Sequence, residues 1–217
     1  MTKKQFVSIR KNAFSSSRQP QYVWKHSQSD VIRGDDNSWQ THLLDMDWFY
    51  PGGVHIWSVE IEDTIEGDIM LGIVANVDNL VLDTFLGYQH GGWSFGGYDG
   101  VRYEGDSCRA IRWSNSDDSD DEEDSLKLQK GSIVTFVLDL TCNKGNNGTL
   151  SISIGSTTRL LCSNLLDFQH KKEQQPKNQK RPLGFLPAVS MFYNDDRVKF
   201  LGFELRLDLT TSSLSVG

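Results

Sequence analysis

The sequence of 217 residues offers no window in which apolar residues recur with convincing helical spacing. That removes helical bundles, and it removes the alternating strand–helix folds, whose crossovers are helices. Long apolar runs are missing too, so no segment is long enough to span a bilayer as a helix. Cysteine is scarce: Cys108, Cys142 and Cys162 are scattered and odd in number, with neither disulfide-framework nor zinc-site spacing. A reducing, intracellular compartment, cytoplasmic or nuclear, is therefore expected. There is no internal repeat and no apolar core of a secretory signal. No global basic excess points to nucleic acid.

Charge is present but unevenly placed. The formal net charge is −7, and Asp117, Asp118, Asp120, Asp121, Glu122, Glu123 and Asp124 alone account for it; without them the chain is neutral. Such a run repels itself, so a disordered, dispensable acidic insertion is expected at about 114–126. It lacks the glycine that an EF-hand loop needs, so no metal site is expected there. A second insertion, about 168–182, is basic, with Lys171, Lys172, Lys177, Lys180 and Arg181. The first acid of the chain is Asp30, whereas Lys3, Lys4, Arg10, Lys11, Arg18 and Lys25 precede it. Residues 1–20 thus form a basic flexible tail; mitochondrial import is the minor reading of that composition.

Ordered structure centres on Gly53-Val-His-Ile-Trp-Ser-Val-Glu-Ile-Glu-Asp63. At period two, His55, Trp57, Val59 and Ile61 share one face while Ser58, Glu60 and Glu62 share the other, which predicts a strand with one face in a core and Trp57 as its largest buried surface. Short strands are expected around Tyr22–Trp24, Asp30–Gly34 and Trp39–Leu44. A polar hairpin turn at 63–68 then leads into Ile69-Met-Leu-Gly-Ile-Val-Ala75, apolar enough to be central, where Gly72 implies close approach of another backbone or a bulky side chain. Gly87 to Gly105 suits two short strands turning at Asp99-Gly100. Ile133–Leu140, Thr149–Ile154, Phe185–Phe192 and Val198–Leu205 complete the set. Many short strands separated by turns mean one all-β domain, about 21–207, folded as a two-sheet antiparallel β-sandwich, with a tail at 208–217.

Five motifs occur in one order: Gly53-Val-His-Ile-Trp-Ser-Val-Glu60, Leu71-Gly-Ile-Val74, Trp93 with Tyr98-Asp99-Gly100, Val137-Leu-Asp-Leu140 with Asn147-Gly-Thr-Leu150, and Leu186-Pro-Ala-Val189. In this the chain resembles a SPRY domain, a concanavalin A-like sandwich, over about residues 22–206. It departs from the family pattern at Ile56, at Ser58 and in the length of both charged insertions. The resemblance implies a non-enzymatic protein–protein interaction module, without cofactor or metal, whose loops at one edge bind a peptide or protein partner. It also implies a role as a substrate adaptor. A monomer with no membrane or nucleic-acid partner is expected.

Two patterns point instead to catalysis. Gly92-Trp-Ser-Phe-Gly96 matches a nucleophile elbow, but an elbow needs a helix after the serine, and the Gly-rich stretch that follows Ser94 resists one. Glu60, Glu62 and Glu66 echo the acid strand of glycan-hydrolysing sandwiches, where two carboxylates on one face act as acid and nucleophile. A carbohydrate-binding or glycan-hydrolysing sandwich is accordingly the alternative reading. The binding reading rests on aromatic side chains carried by loops, which give large contact area at low entropy cost. Its expected contact residues are Tyr88, Tyr98, Asp99, Tyr193, Asn194 and Asp195, with Asn76 and Asp78 on a further loop, while Trp93 is assigned to the core.

Overall fold

The structure, a computed structural model, describes residues 23–25, 31–33, 38–45, 48–49, 51–75, 81, 83–88, 91–98, 100–104, 109–111, 126–141, 147–167 and 183–207. Both charged insertions, the N-terminal tail, the C-terminal tail and Cys108 and Cys142 lie outside the described residues. Within them the strands are, in chain order, β1 (Val23–Lys25), β2 (Val31–Arg33), β3 (Gln40–Asp45), β4 (Gly53–Asp63), β5 (Ile69–Ala75), β6 (Gly92–Gly96), β7 (Arg102–Glu104), β8 (Arg109–Ile111), β9 (Ile133–Asp139), β10 (Thr149–Ile154), β11 (Thr157–Ser163), β12 (Phe185–Met191) and β13 (Arg197–Leu207). Among the described residues no helix is long and apolar enough to cross a membrane.

The strands form two sheets. One has seven strands in the order β1-β3-β12-β5-β6-β7-β8, the other six in the order β11-β10-β9-β4-β13-β2. All pairings are antiparallel except β1 with β3, which run parallel. β4 alternates as its sequence implies: His55, Trp57, Val59 and Ile61 are buried, while Ile56, Ser58, Glu60 and Glu62 are partly exposed. Trp57 stacks on Phe136 of β9, ring centroids 5.0 Å apart. Leu150 and Ile152 of β10, Val198 and Phe200 of β13, and Ile69, Leu71, Ile73, Trp93 and Phe95 of the facing sheet fill the space between the layers.

One sequence expectation changes, and two strands were not foreseen. The polar stretch at 63–68 is not a hairpin: β4 and β5 belong to different sheets, so the chain crosses from one layer to the other there. Polar composition marks a turn but does not say which sheet the next strand joins. β8 and β11 were not legible in the sequence. β8 has only three residues. β11 is an edge strand whose exposure follows no simple alternation, so period two is blurred where solvent covers one side of its ladder.

β5 and β12 are buried along their whole length, which a sheet with one wet face does not permit. The second cover is the segment 84–88, which lies across the outer face of the seven-stranded sheet. Leu86 joins Leu43, Met70, Val74, Leu186 and Ala188 in a second apolar cluster there, with Trp39, Trp48, Phe85 and Tyr103 against it. Hydroxyls hold this strap. Thr41 donates to the Thr84 carbonyl (2.6 Å), Leu86 N–H donates to Ser190 Oγ (2.8 Å), and Ser94 Oγ donates to the Leu86 carbonyl. Gly87 permits the close fit: its φ is +96°, and a Cβ there would sit 2.5 Å from Tyr103 Cβ.

Candidate functional site

Register decides which loops share an end of the sandwich. Ile69 pairs with Met191, and Met70 with Gly96. The 64–68 crossover, the turn after β6 and the turn after β12 therefore gather at one end. Gln40 pairs with Met191, which brings Trp39 to the same end. At the far end Ala75 pairs with Phe185 and Val74 with Gly92.

The three turns are fastened to one another by backbone and carboxylate bonds. Gly97 N–H donates to the Ile69 carbonyl (2.8 Å) and the Gly97 carbonyl accepts from Leu128 N–H (3.0 Å). Asp196, completely buried, accepts from Ile65 N–H (3.2 Å) through one oxygen and from Tyr193 N–H (3.0 Å) through the other. That carboxylate ties the crossover to the turn after β12. Burial pushes its pKa above the ordinary aspartate value, although the N–H donors and the Thr64 hydroxyl pull the other way.

On this frame Tyr98 is 62% exposed and Ile65 52% exposed. Asn194, Asp195 and Glu66 are exposed as well. Tyr193 is half-buried. Its ring meets Phe192 edge-on at 4.9 Å, and its hydroxyl donates to Glu66 Oε2 at 3.4 Å, a long contact. Burial raises the phenol pKa first, and the charges of Glu66 and Asp68 raise it further. Phe192 continues to Trp39 (5.5 Å), Trp39 to Phe85 (5.5 Å), and Phe85 to Tyr88 (5.3 Å). Tyr88, 57% exposed, thus joins Tyr193 through a continuous aromatic arc along the outer face.

The arrangement sorts the expected contact residues. Tyr98, Tyr193, Asn194 and Asp195 share one end, and Tyr88 adjoins it. Asp99, Asn76 and Asp78 lie outside the described residues; the chain leaves β5 towards the last two at Ala75, the far end. Trp93 is a core residue, 6% exposed and edge-on to Phe185. Sequence reasoning missed Asp196, whose neighbour Asp195 looks equivalent in the sequence. Only the strand phase tells them apart, since Asp196 is the last residue before β13 and turns inward. Ile65 was missed as well, because a single apolar residue in a polar turn gives no periodic signal.

The catalytic look-alikes acquire structural roles. Ser94 is buried in mid-strand in an antiparallel sheet, its hydroxyl donated to the strap. Glu60 and Glu62 do share a face, with the Lys199 ammonium between them at 4.0 and 3.7 Å.

Asp196→Asn is expected to cost about 2 kcal/mol at neutral pH, because one of the two N–H donors then faces an amide NH2 instead of an acceptor. A raised folded-state pKa means that the group's contribution is fully present below the unfolded value and fades as pH rises through the folded one. The stability difference between wild type and Asp196→Asn should therefore shrink as pH rises out of the ordinary carboxylate range. Taking the difference cancels the opposite contribution of Asp63, whose pKa the Arg197 guanidinium lowers. Urea titrations at stepped pH measure it, and a difference that grows with pH would contradict the assignment.

With the strand order, the two apolar clusters and the covering strap in place, the protein is an all-β, two-sheet sandwich. No family model matches the chain, and no curated protein matches its sequence. Among solved structures, a human SPRY domain has a TM-score of 0.50 at 14% identity, covering 81% of this chain and 92% of that one. The SPRY domain of human HERC1 has 0.48 at 13% identity, covering 86% and 99%. The TRIM65 PSpry domain has 0.39 at 17% identity, covering 71% and 66%. The fold is that of a SPRY domain.

Proposed function

We propose that this chain is a non-enzymatic interaction module that binds a peptide or protein partner at the end of the sandwich carrying Ile65, Tyr98, Tyr193, Asn194 and Asp195, with Tyr88 at its margin. One observation carries the reading: exposed Tyr98 and Ile65 share one end of the sandwich with half-buried Tyr193, on turns locked by internal hydrogen bonds. Large side chains on a rigid frame lose little entropy when a partner covers them. SPRY domains generally bind proteins or peptides through such loops, and a substrate-adaptor role follows by analogy with them.

Tyr98→Ala should leave the melting temperature unchanged, whereas Tyr193→Ala should cost on the order of 1 kcal/mol by losing its edge-on contact. Each should weaken partner binding by about 2 kcal/mol, roughly thirtyfold. The test is affinity capture with mass spectrometry, followed by isotherms with wild type and both variants. Folded variants that bind with wild-type affinity would move the site elsewhere.

A further inference from the structure

We infer that the partner presents a proline-rich segment in the polyproline II conformation, and that this segment lies along the row of rings Tyr193, Phe192, Trp39, Phe85 and Tyr88. The inference deepens the proposed function and rests on it for the partner being a peptide; the row of rings itself does not depend on Tyr98.

Three separate parts of the chain build the row. Trp39 stands just before β3, Phe192 just after β12, and Phe85 and Tyr88 on the strap. Successive centroids are 4.9 to 5.5 Å apart. Tyr103 of β7 meets Phe85 edge-on at 5.6 Å, and the hydroxyls of Thr41, Ser94 and Ser190 hold the strap that carries it. The rings are thus in place before a ligand arrives, which limits the entropy lost on binding. Each keeps surface open to solvent: Trp39, Phe85, Phe192 and Tyr193 are partly exposed and Tyr88 is exposed.

Ring geometry sets the first condition on the ligand. Neighbouring rings are tilted by 54° to 58° along most of the row and by 86° between Phe192 and Tyr193, so they form notches instead of a flat plate. From Tyr193 to Tyr88 the centroid path is about 21 Å, the length of about seven residues of polyproline II. Alternate rings are at most about 11 Å apart, close to the roughly 9 Å of one polyproline turn. Prolines one turn apart can therefore pack on alternate rings, and docking of such segments on aromatic surfaces is a recurrent recognition mode.

Hydrogen bonding sets the second. Trp39, in the middle of the row, makes two ring contacts, and its indole N–H has no hydrogen bond among the described residues. A ligand lying over Trp39 must supply an acceptor or leave that donor dry, which is costly. An α-helix spends its carbonyls on itself. A partner β-strand needs an open edge, whereas β3 and β12, which carry the middle of the row, have neighbours on both sides. A polyproline II segment makes no internal hydrogen bonds and keeps its carbonyls turned outward, and it is already ordered before it binds.

The probe is blocked nonaproline, titrated into the full chain and followed by indole and backbone amide spectra. The Trp39 indole signal, identified by its loss in Trp39→Phe, should move together with the amides of Phe85, Tyr88, Phe192 and Tyr193. It should saturate with a Kd of about 1 mM or tighter. Nonaproline made from D-proline has the same composition and the opposite helical hand, and should bind at least about tenfold more weakly. Trp39→Phe keeps a ring and loses the donor, so it should weaken the L-peptide about three- to tenfold. The L-peptide should also displace the captured partner. No movement of the indole signal at about 10 mM, equal binding of the two hands, or a response centred on other amides would each overturn the inference. So would a Trp39→Phe variant that binds like wild type. If nonaproline fails while Tyr98→Ala and Tyr193→Ala weaken capture of the partner, only the polyproline occupant falls and the interaction reading stands. If nonaproline binds at these rings while both variants leave capture intact, the ring row is a polyproline site and the interaction reading falls.

Discussion

Trp57→Ala is expected to destabilise the fold by about 3–5 kcal/mol, the range for truncating a fully buried aromatic. Trp57 is 2% exposed and sits in the middle of β4, the strand bonded on both sides by β9 and β13. Its ring lies 5.0 Å from Phe136 at an interplanar angle of 9°, and 5.8 Å from Phe49. Removing the indole opens a cavity between two sheets, and β4 is held by ladders on both sides, so the walls cannot collapse far. A domain of this size loses about 2–4 °C in melting temperature per kcal/mol, so a drop of about 10 °C is expected by calorimetry. A variant that melts like wild type would mean that the core does not depend on this ring.

Gly72→Ala should cost as much by the opposite mechanism. A Cβ at Gly72 would lie 1.9 Å from the Trp93 carbonyl oxygen and 2.9 Å from Ser94 Cα, both backbone atoms of the neighbouring strand. A side chain could rotate away from such a contact, but a ladder cannot. β5 and β6 would have to part at the Gly72–Ser94 pair, and Ser94 would lose its grip on the strap. A loss of about 3 kcal/mol or more is expected, at the upper end for overpacking. Because φ at Gly72 is not positive, the stiffer alanine chain works slightly in the variant's favour. Gly155→Ala supplies the contrast. There a Cβ meets nothing within 4 Å, but φ is +58°, so backbone strain of about 1 kcal/mol is the whole effect. Equal destabilisation of the two variants by urea titration would refute the close-approach account.

What the sequence determined by itself is whatever repeats at short range. The alternation of His55, Trp57, Val59 and Ile61 against Ser58, Glu60 and Glu62 set both faces of β4, because side-chain direction in a strand follows from residue parity alone. The apolar stretch Ile69–Ala75, with glycine in its middle, announced a central strand closely approached by another backbone or a bulky side chain. The order of the motifs then sufficed for the class of fold.

Tertiary structure decided everything that depends on which strands become neighbours. The crossover at 63–68 reads like a hairpin, since polar turn residues carry no information about the next sheet. The role of Ser94 came from the strap, which three hydroxyls on three strands hold, two of them by bonds spanning 43 and 104 residues of sequence. Tyr98 and Tyr193 were legible as aromatics on turns, and the family resemblance implied a shared edge, but the registers of β5, β6 and β12 are what bring their turns to one end. Asp195 and Asp196 differ in the sequence by one position. The fold exposes the first and buries the second, because the strand that begins at Arg197 fixes which carboxylate turns towards Ile65.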